Sequence, residues 1–409
     1  MNTIEERIRA AARAAADTVP PDGVPPLRLP PARKRPWSFI SFRTRGLAWV
    51  ATALAVVAVV VVSVAVGRAV PRAPVPLGPP ISPPSVVSLV PRYYVALRAD
   101  GVGTSSYAVV RATVTGATLA TIKAPGRDQA FIAVAAAVDD RTFGLEEGPA
   151  NAARSQASAP PPTAFYLLRL TADGAVASLT RLPAVAPPAG SALAGMALSP
   201  DGSRLAMATL TEGLGEHPAS QIRVYTLATG AARTWSVSGT IGFGYERMTN
   251  VLSWADSGRT LAFDWDGADD GATLLLLNTA GPGGNLLTDS RIAAWNPPDG
   301  RGWNCGSIVL VTLDGKTIVC GAQNVPGGSA QSGFIEKSAA TGKLVRILDR
   351  VPSGLPVSPN VWWTNASGSV LIGDFQSSPN SAPAMGVIIA NRFVALPWSP
   401  DLSLVSVAW

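Results

Sequence analysis

Four short stretches of this chain share one construction, and their spacing restricts the fold more than any other feature. LSPDGSRLAMAT (198–209), SWADSGRTLAFDW (253–265), VTLDGKTIVCGA (311–322) and WTNASGSVLIGDF (363–375) each read as a strand, a tight turn and an apolar strand. Their turn glycines, Gly202, Gly258, Gly315 and Gly368, lie 56, 57 and 53 residues apart. Glycine suits such a turn because it adopts positive φ without steric cost. A looser copy is AAVDDRTFGLEE at 136–147. A second hairpin follows each first one, as in FYLLRLTADGAVASLTRL (165–182), QIRVYTLATGAARTWSV (221–237), GFIEKSAATGKLVRIL (333–348) and GVIIANRFVALPW (386–398). Two hairpins per repeat make a four-stranded antiparallel sheet. A run of such sheets predicts an all-β chain folded as a β-propeller.

Repeats at about 130–183, 193–238, 249–292, 305–349 and 360–398 account for five blades. The stretch 92–124 supplies three strands of another and lacks an inner one, while the final LSLVSVAW (402–409) lacks a blade. Pairing the two closes the ring without an exposed sheet edge. Six blades are therefore expected, with seven as the alternative.

The best-formed copy, Ser199-Pro200-Asp201-Gly202 followed by IRVYTLATG, closely resembles the WD40-like, or TolB-type, propeller repeat. In that family an S-P-D-G turn joins the first two strands and a D-x-x-T-G turn the last two. Asp314-Gly315 keeps part of the first signature, whereas Leu227-Ala228-Thr229-Gly230 lacks the acid of the second. The resemblance spans about 92–409 and implies a fold, not an activity.

Ahead of the repeats runs LAWVATALAVVAVVVVSVAV (47–66), twenty residues without a charge. At about 1.5 Å per residue it matches a ~30 Å hydrocarbon core, so a single transmembrane helix is expected. Nine Lys and Arg stand against four acids before it, and 24 against 23 after it. The positive-inside rule then puts 1–46 in the cytoplasm and 67–409 outside. A cleaved signal peptide has a shorter apolar core behind a shorter leader, so an uncleaved anchor in the bilayer fits better. Because the basic excess is local to the leader, it does not point to nucleic acid. The whole layout also resembles that of single-pass proteins of high-GC bacteria, a source with which 28 Arg against 5 Lys agrees.

Residues 2–17 predict one amphipathic helix, with Ile4, Ile8, Ala11, Ala12 and Ala15 on one face and Arg7 largely off it. It either lies on the inner leaflet or orders against a cytosolic regulator. Prolines from Pro20 to Pro36 extend the leader, and VPRAPVPLGPPISPPSVVSLVP (70–91) reads as a stiff outer stalk within 67–91.

Few residues invite chemistry. The single histidine, His217, lies in the loop GLGEHPAS, and no G-x-S-x-G elbow accompanies it, which argues against a hydrolase and against a histidine-rich metal site. No cofactor is expected. Cys305 and Cys320 flank one hairpin. Its turn at Asp314-Gly315 sets Cys320 opposite Val309, leaving Cys305 about four residues out of register. A bulge, or strand ends that curl together, would allow a disulfide, which two thiols in an oxidising compartment favour over free ones. The acid-rich Asp264–Gly271 fits no calcium-loop spacing and reads as a solvated loop, and 146–163 reads as a mobile surface insert. Trp295, Trp303, Trp362 and Trp363 stand near blade beginnings, where packing between blades explains them better than a carbohydrate or peptide site.

The expected function is that of a membrane-anchored recognition or scaffold module for a protein, a peptide or a cell-wall ligand. A sensor whose cytoplasmic helix holds a regulator such as a sigma factor is the alternative, and a propeller hydrolase is the least supported.

Overall fold

In the computed structural model, the described residues are 89–409 apart from 100–105, 150–162, 212–218, 240–242, 244–251, 268–270, 294–301, 325–330, 352–358, 376–382 and 398–403. The helix face at Ile4, Arg7, Ile8, Ala11, Ala12 and Ala15, the apolar run 47–66, the stalk up to residue 88, His217 and Trp295 lie outside them. Among the described residues, no helix is long and apolar enough to cross a membrane.

The chain is a six-bladed β-propeller. Blade one contains β1 (Tyr93–Ala99), β2 (Ser106–Ala112) and β3 (Thr118–Ile122). Blade two has β4 (Gln129–Ala136), β5 (Thr142–Pro149), β6 (Ala164–Leu170) and β7 (Val176–Arg181). Blade three has β8 (Ser191–Leu198), β9 (Arg204–Thr211), β10 (Ala219–Thr226) and β11 (Ala232–Ser238). Blade four has β12 (Leu252–Ala255), β13 (Thr260–Gly267), β14 (Gly271–Asn278) and, beyond the two-residue β15 (Gly284–Asn285), β16 (Ser290–Ala293). Blade five is β17 (Trp303–Val311), β18 (Thr317–Asn324), β19 (Gln331–Ser338) and β20 (Leu344–Val351). Blade six is β21 (Asn360–Thr364), β22 (Val370–Phe375), β23 (Ala384–Ile389) and β24 (Arg392–Ala395). The last strand, β25 (Leu404–Ala408), joins blade one on the inner side of β1, with Val95 opposite Ala408 and Leu97 opposite Ser406. The strip β15 leaves its own blade and pairs in parallel with β11, so blade three is a sheet of five.

Each pair of neighbouring blades encloses one apolar cluster. In β1, Tyr93, Val95 and Leu97 pack toward blade two while Tyr94 and Ala96 pack toward blade six, the period-two alternation of a strand buried on both faces. Phe131, Phe143 and Leu168 fill the seam between blades one and two, and Phe334 fills that between five and six. Burial of each such side chain contributes about 1.5–3 kcal/mol, so the ring is held by its seams more than by any single sheet.

Register shifts interrupt five of the six inner strands, in β4, β8, β17, β21 and at the β25–β1 pairing. A bulge bends a strand and re-aims its side chains. In β17 the shift falls between Cys305 and Val309, so Cys305 faces Ala322 while Val309 faces Cys320. That brings the two Cα atoms to 5.6 Å, and a disulfide joins them across a separation of 15 residues. Closing a loop of that length restricts the unfolded chain by about 3 kcal/mol in the chain-entropy account.

Two segments read as loops from the sequence are corrected. Glu146–Pro149 belongs to β5, with Glu146 and Glu147 buried, and Asp264–Gly267 belongs to β13. Both strands carry acids at their ends, which mimic the composition of a solvated loop.

Candidate functional site

The turns between the inner and second strands gather on one face. In blade three the Gly202 amide donates to the Ser199 carbonyl at 2.8 Å, and the Ser199 hydroxyl donates to Asp201 Oδ1 at 2.6 Å. Ser203 adds its amide and hydroxyl to the same carboxylate. The Ser199 hydroxyl, ahead of the Ser203 contacts, holds the Asp201 carboxyl below the usual carboxylate range. Blade five repeats the arrangement, with Thr312 donating to Asp314 Oδ1 at 2.7 Å and the Gly315 amide donating to the Thr312 carbonyl. Gly202, Gly258, Gly315 and Gly368 all have positive φ, from 67° to 86°. These residues shape the rim and are committed to their own turns.

Inside that rim lies a cavity of about 400 Å³. All six inner strands line it, together with Leu89–Pro91, the segment that leads into β1. Its volume falls in the ~300–1,000 Å³ range of ligand pockets. Trp254, Trp362, Trp363 and Trp409 contribute to the wall. Trp409 stacks on Tyr94 with centroids 5.1 Å apart, and Trp254 donates its indole N–H to the Ala197 carbonyl at 3.2 Å. The Arg204 guanidinium lies over the Trp254 ring at 4.9 Å. Trp362 sits at the bulge of β21, and its indole N–H donates to Asp374 Oδ2 at 2.6 Å.

One charged residue lines the cavity among those described, Asp140. Its backbone is left-handed, φ 54°, which Asp tolerates better than most residues. Its Oδ2 accepts the Arg92 amide at 2.8 Å and Arg92 Nε at 3.4 Å, tying the segment before β1 to blade two. Its Oδ1 is shut away from solvent without a hydrogen-bond donor.

A second set of acids lies deeper. The fifth residue of the second strand is Glu146 in blade two, Asp264 in blade four and Asp374 in blade six, whereas blades three and five have Ala208 and Gly321 there. Asp374 is held by Asn360 Nδ2 at 3.0 Å and by Trp362, and burial, stronger than those two bonds, pushes its carboxyl up. Asp264 is part-buried as a residue, yet its Oδ1 is sealed off and unpartnered, and desolvation pushes the carboxyl up to about 7. At Gly321 a Cβ would meet the Pro359 carbonyl oxygen at 1.6 Å, so the chain entering blade six forbids any side chain there.

Of the tryptophans marked in the sequence, Trp362 and Trp363 reach the cavity and Trp303 packs between blades four and five. The structure adds Trp254, Trp409 and Asp140. Trp254 sits two residues before its turn's Asp256, and Trp363 three before the Ala366 of its own, so aligning the ends of the inner strands would have shown both. Among the described residues, no group of three His, Cys, Asp or Glu is placed to hold a metal ion.

No protein-family model matches the chain, and no curated protein matches it. Solved structures do. TolB from Acinetobacter baumannii is 14% identical with a TM-score of 0.48, over 80% of this chain and 69% of that one. A structure named for TolB from Agrobacterium tumefaciens is 12% identical with a TM-score of 0.41, over 76% and 96%. Prolyl oligopeptidase B from Galerina marginata is 10% identical with a TM-score of 0.42, and the matched part is 76% of this chain but 42% of that enzyme. At these identities and TM-scores the likeness is one of fold and goes no further.

Proposed function

We propose that this chain is a membrane-anchored recognition module, carried outside the cell on the helix 47–66, which receives its ligand at the cavity on the turn face. One observation carries the reading: strands from every blade converge on a single concave site whose wall holds four tryptophans. Concave, largely apolar sites with a few fixed polar groups are where proteins bind ligands. Aromatic residues supply large contact areas at low entropic cost. The partner is a protein, a peptide or a cell-wall component.

The test is photo-crosslinking in cells from the full-length protein, with the reactive residue placed at Ala366, an exposed residue lining the cavity, or at Ile292, which is 72% exposed on the outer strand of blade four. An adduct formed from Ala366 and absent from Ile292 supports the reading. Equal capture at both positions, or none at Ala366, sinks it.

The sensor reading has one observation in its favour. Leu89–Pro91, the last three residues of the stretch read as the stalk, form part of the cavity wall, and Arg92 bonds to Asp140 beside them. A ligand there would touch the segment that leads toward the membrane. Deleting residues 2–17 should then release a cytosolic regulator from the membrane fraction; an unchanged set of cytosolic partners would remove this alternative.

A further inference from the structure

Resting on the recognition reading, we infer that the cavity takes an uncharged peptide segment bearing apolar or aromatic side chains, rather than a charged peptide or a polar cell-wall glycan. The cavity's electrostatics carry this. Among the described residues that line it, Asp140 has the one charged side chain, and Arg92 already pairs with it. A ligand carboxylate or phosphate would lose its water and gain no counter-charge, and a ligand ammonium would have to share a carboxylate that already carries Arg92.

Several polar side chains of the wall are also occupied. Asn365 accepts the Val370 amide at 3.1 Å and donates to Ser369 Oγ at 3.0 Å. The Thr364 hydroxyl lies 3.3 Å from the Val370 carbonyl. Trp254 and Trp362 spend their indole N–H groups on Ala197 and Asp374. A sugar, with a hydroxyl on nearly every carbon, would find few of these groups available and would bury hydroxyls without partners.

What the wall does offer is backbone, apart from the Ala197 carbonyl held by Trp254 and the Val311 amide and carbonyl that meet Ser253 Oγ. Each inner strand is the terminal strand of its sheet, so alternate amides and carbonyls along its free edge have no sheet partner among the described strands. Neutral donors and acceptors set between apolar side chains match the alternating amides, carbonyls and side chains of a peptide. A volume of about 400 Å³ admits two or three residues, an aromatic one among them.

The experiment measures binding to the full-length protein by tryptophan emission. The probes are an N-acetylated, C-amidated apolar tetrapeptide containing one Trp analogue or Phe, the same peptide with Lys or Glu in place of one apolar residue, soluble muropeptide fragments, and a dodecyl-chain amphiphile. The neutral peptide should bind at least about tenfold more tightly than either charged version. Val138→Glu and Ala366→Glu, at exposed positions lining the cavity where the fold is not at risk, should weaken it by a further tenfold or more. Tighter binding of muropeptide or charged peptide, lost in Val138→Glu, would overturn the ligand class while leaving the recognition reading intact. Equal displacement by the dodecyl chain would replace the peptide with an acyl chain. No binding of the neutral peptide at concentrations on the order of millimolar overturns the inference outright, while the recognition reading is decided separately by crosslinking at Ala366.

Discussion

The turn at Ser199–Gly202 in blade three and the turn at Asp256–Gly258 in blade four hold the same place in adjacent blades and are built on different terms. The first is held mainly by its own residues: Pro200 presets one backbone angle, side-chain bonds link Ser199, Asp201 and Ser203, and Gly202 alone has positive φ, while the Val138 amide of blade two adds one bond to the Pro200 carbonyl at 3.2 Å. The second runs through three successive positive-φ residues, Asp256 at 48°, Ser257 at 51° and Gly258 at 86°, and has no side-chain cap. Beyond one backbone bond of its own, from the Arg259 amide to the Asp256 carbonyl, its bonds go to its neighbours. The Ser257 amide donates to the Leu313 carbonyl of blade five at 2.9 Å, and Arg204 of blade three donates to the Gly258 carbonyl. One turn has side-chain bonds of its own to hold its shape, and the other leans on a side chain from the blade beside it.

Removing the clamp should have the largest effect. Arg204→Ala loses the bond to Gly258, a contact to Thr279 and the cation–π contact with Trp254, and should cost about 2–3 kcal/mol in urea unfolding. A loss below about 0.5 kcal/mol would mean that the blade-four turn holds itself. Next come the glycines. Gly258→Ala should cost about 2 kcal/mol, because a Cβ there meets Arg204 Nη2 at 3.0 Å and Pro200 Cδ at 3.3 Å on a backbone that already disfavours it. Gly202→Ala, with one contact at 3.2 Å to Thr142, should cost about 1 kcal/mol, and the reverse order would break the contrast.

Acid should sharpen it further. Because the folded Asp201 carboxyl titrates below its unfolded value of about 3.9, its contribution is complete above that pH and fades as pH falls through the depressed folded value. The protection of the Gly202 and Ser203 amides, measured against their intrinsic exchange rates, should therefore fall below about pH 4, and Asp201→Asn should abolish that dependence. The smallest effect runs the other way. Ser257→Gly relieves a left-handed serine and should stabilise the protein by up to about 1 kcal/mol, whereas Ser203→Gly should not.

The six blades were legible because a turn glycine recurs at nearly constant spacing between apolar strands, a pattern that local chemistry alone imposes. The deeper acids were not. Glu146 and Asp264 follow apolar residues in TFGLEE and TLAFDWD, and from sequence such acids mark the end of a strand. Inside the ring the Glu146 side chain and Asp264 Oδ1 are nevertheless shut away from solvent, which no local stretch encodes. The cavity escaped for a related reason: Trp254 and Trp363 lie far apart in the chain and come to line one cavity only once the ring has closed. Asp140, inside a degenerate repeat, carries no signal in sequence beyond a polar turn.

The strip Gly284–Asn285 has a meaning for the order in which the molecule assembles. Blade three receives its outermost strand from chain that comes after most of blade four, so on a ribosome the outer edge of β11 stays bare until Asn285 has emerged. Blades three and four therefore mature as one unit, and a ribosome stalled between Ser238 and Gly284 would hold out an open β-edge to any neighbouring nascent chain.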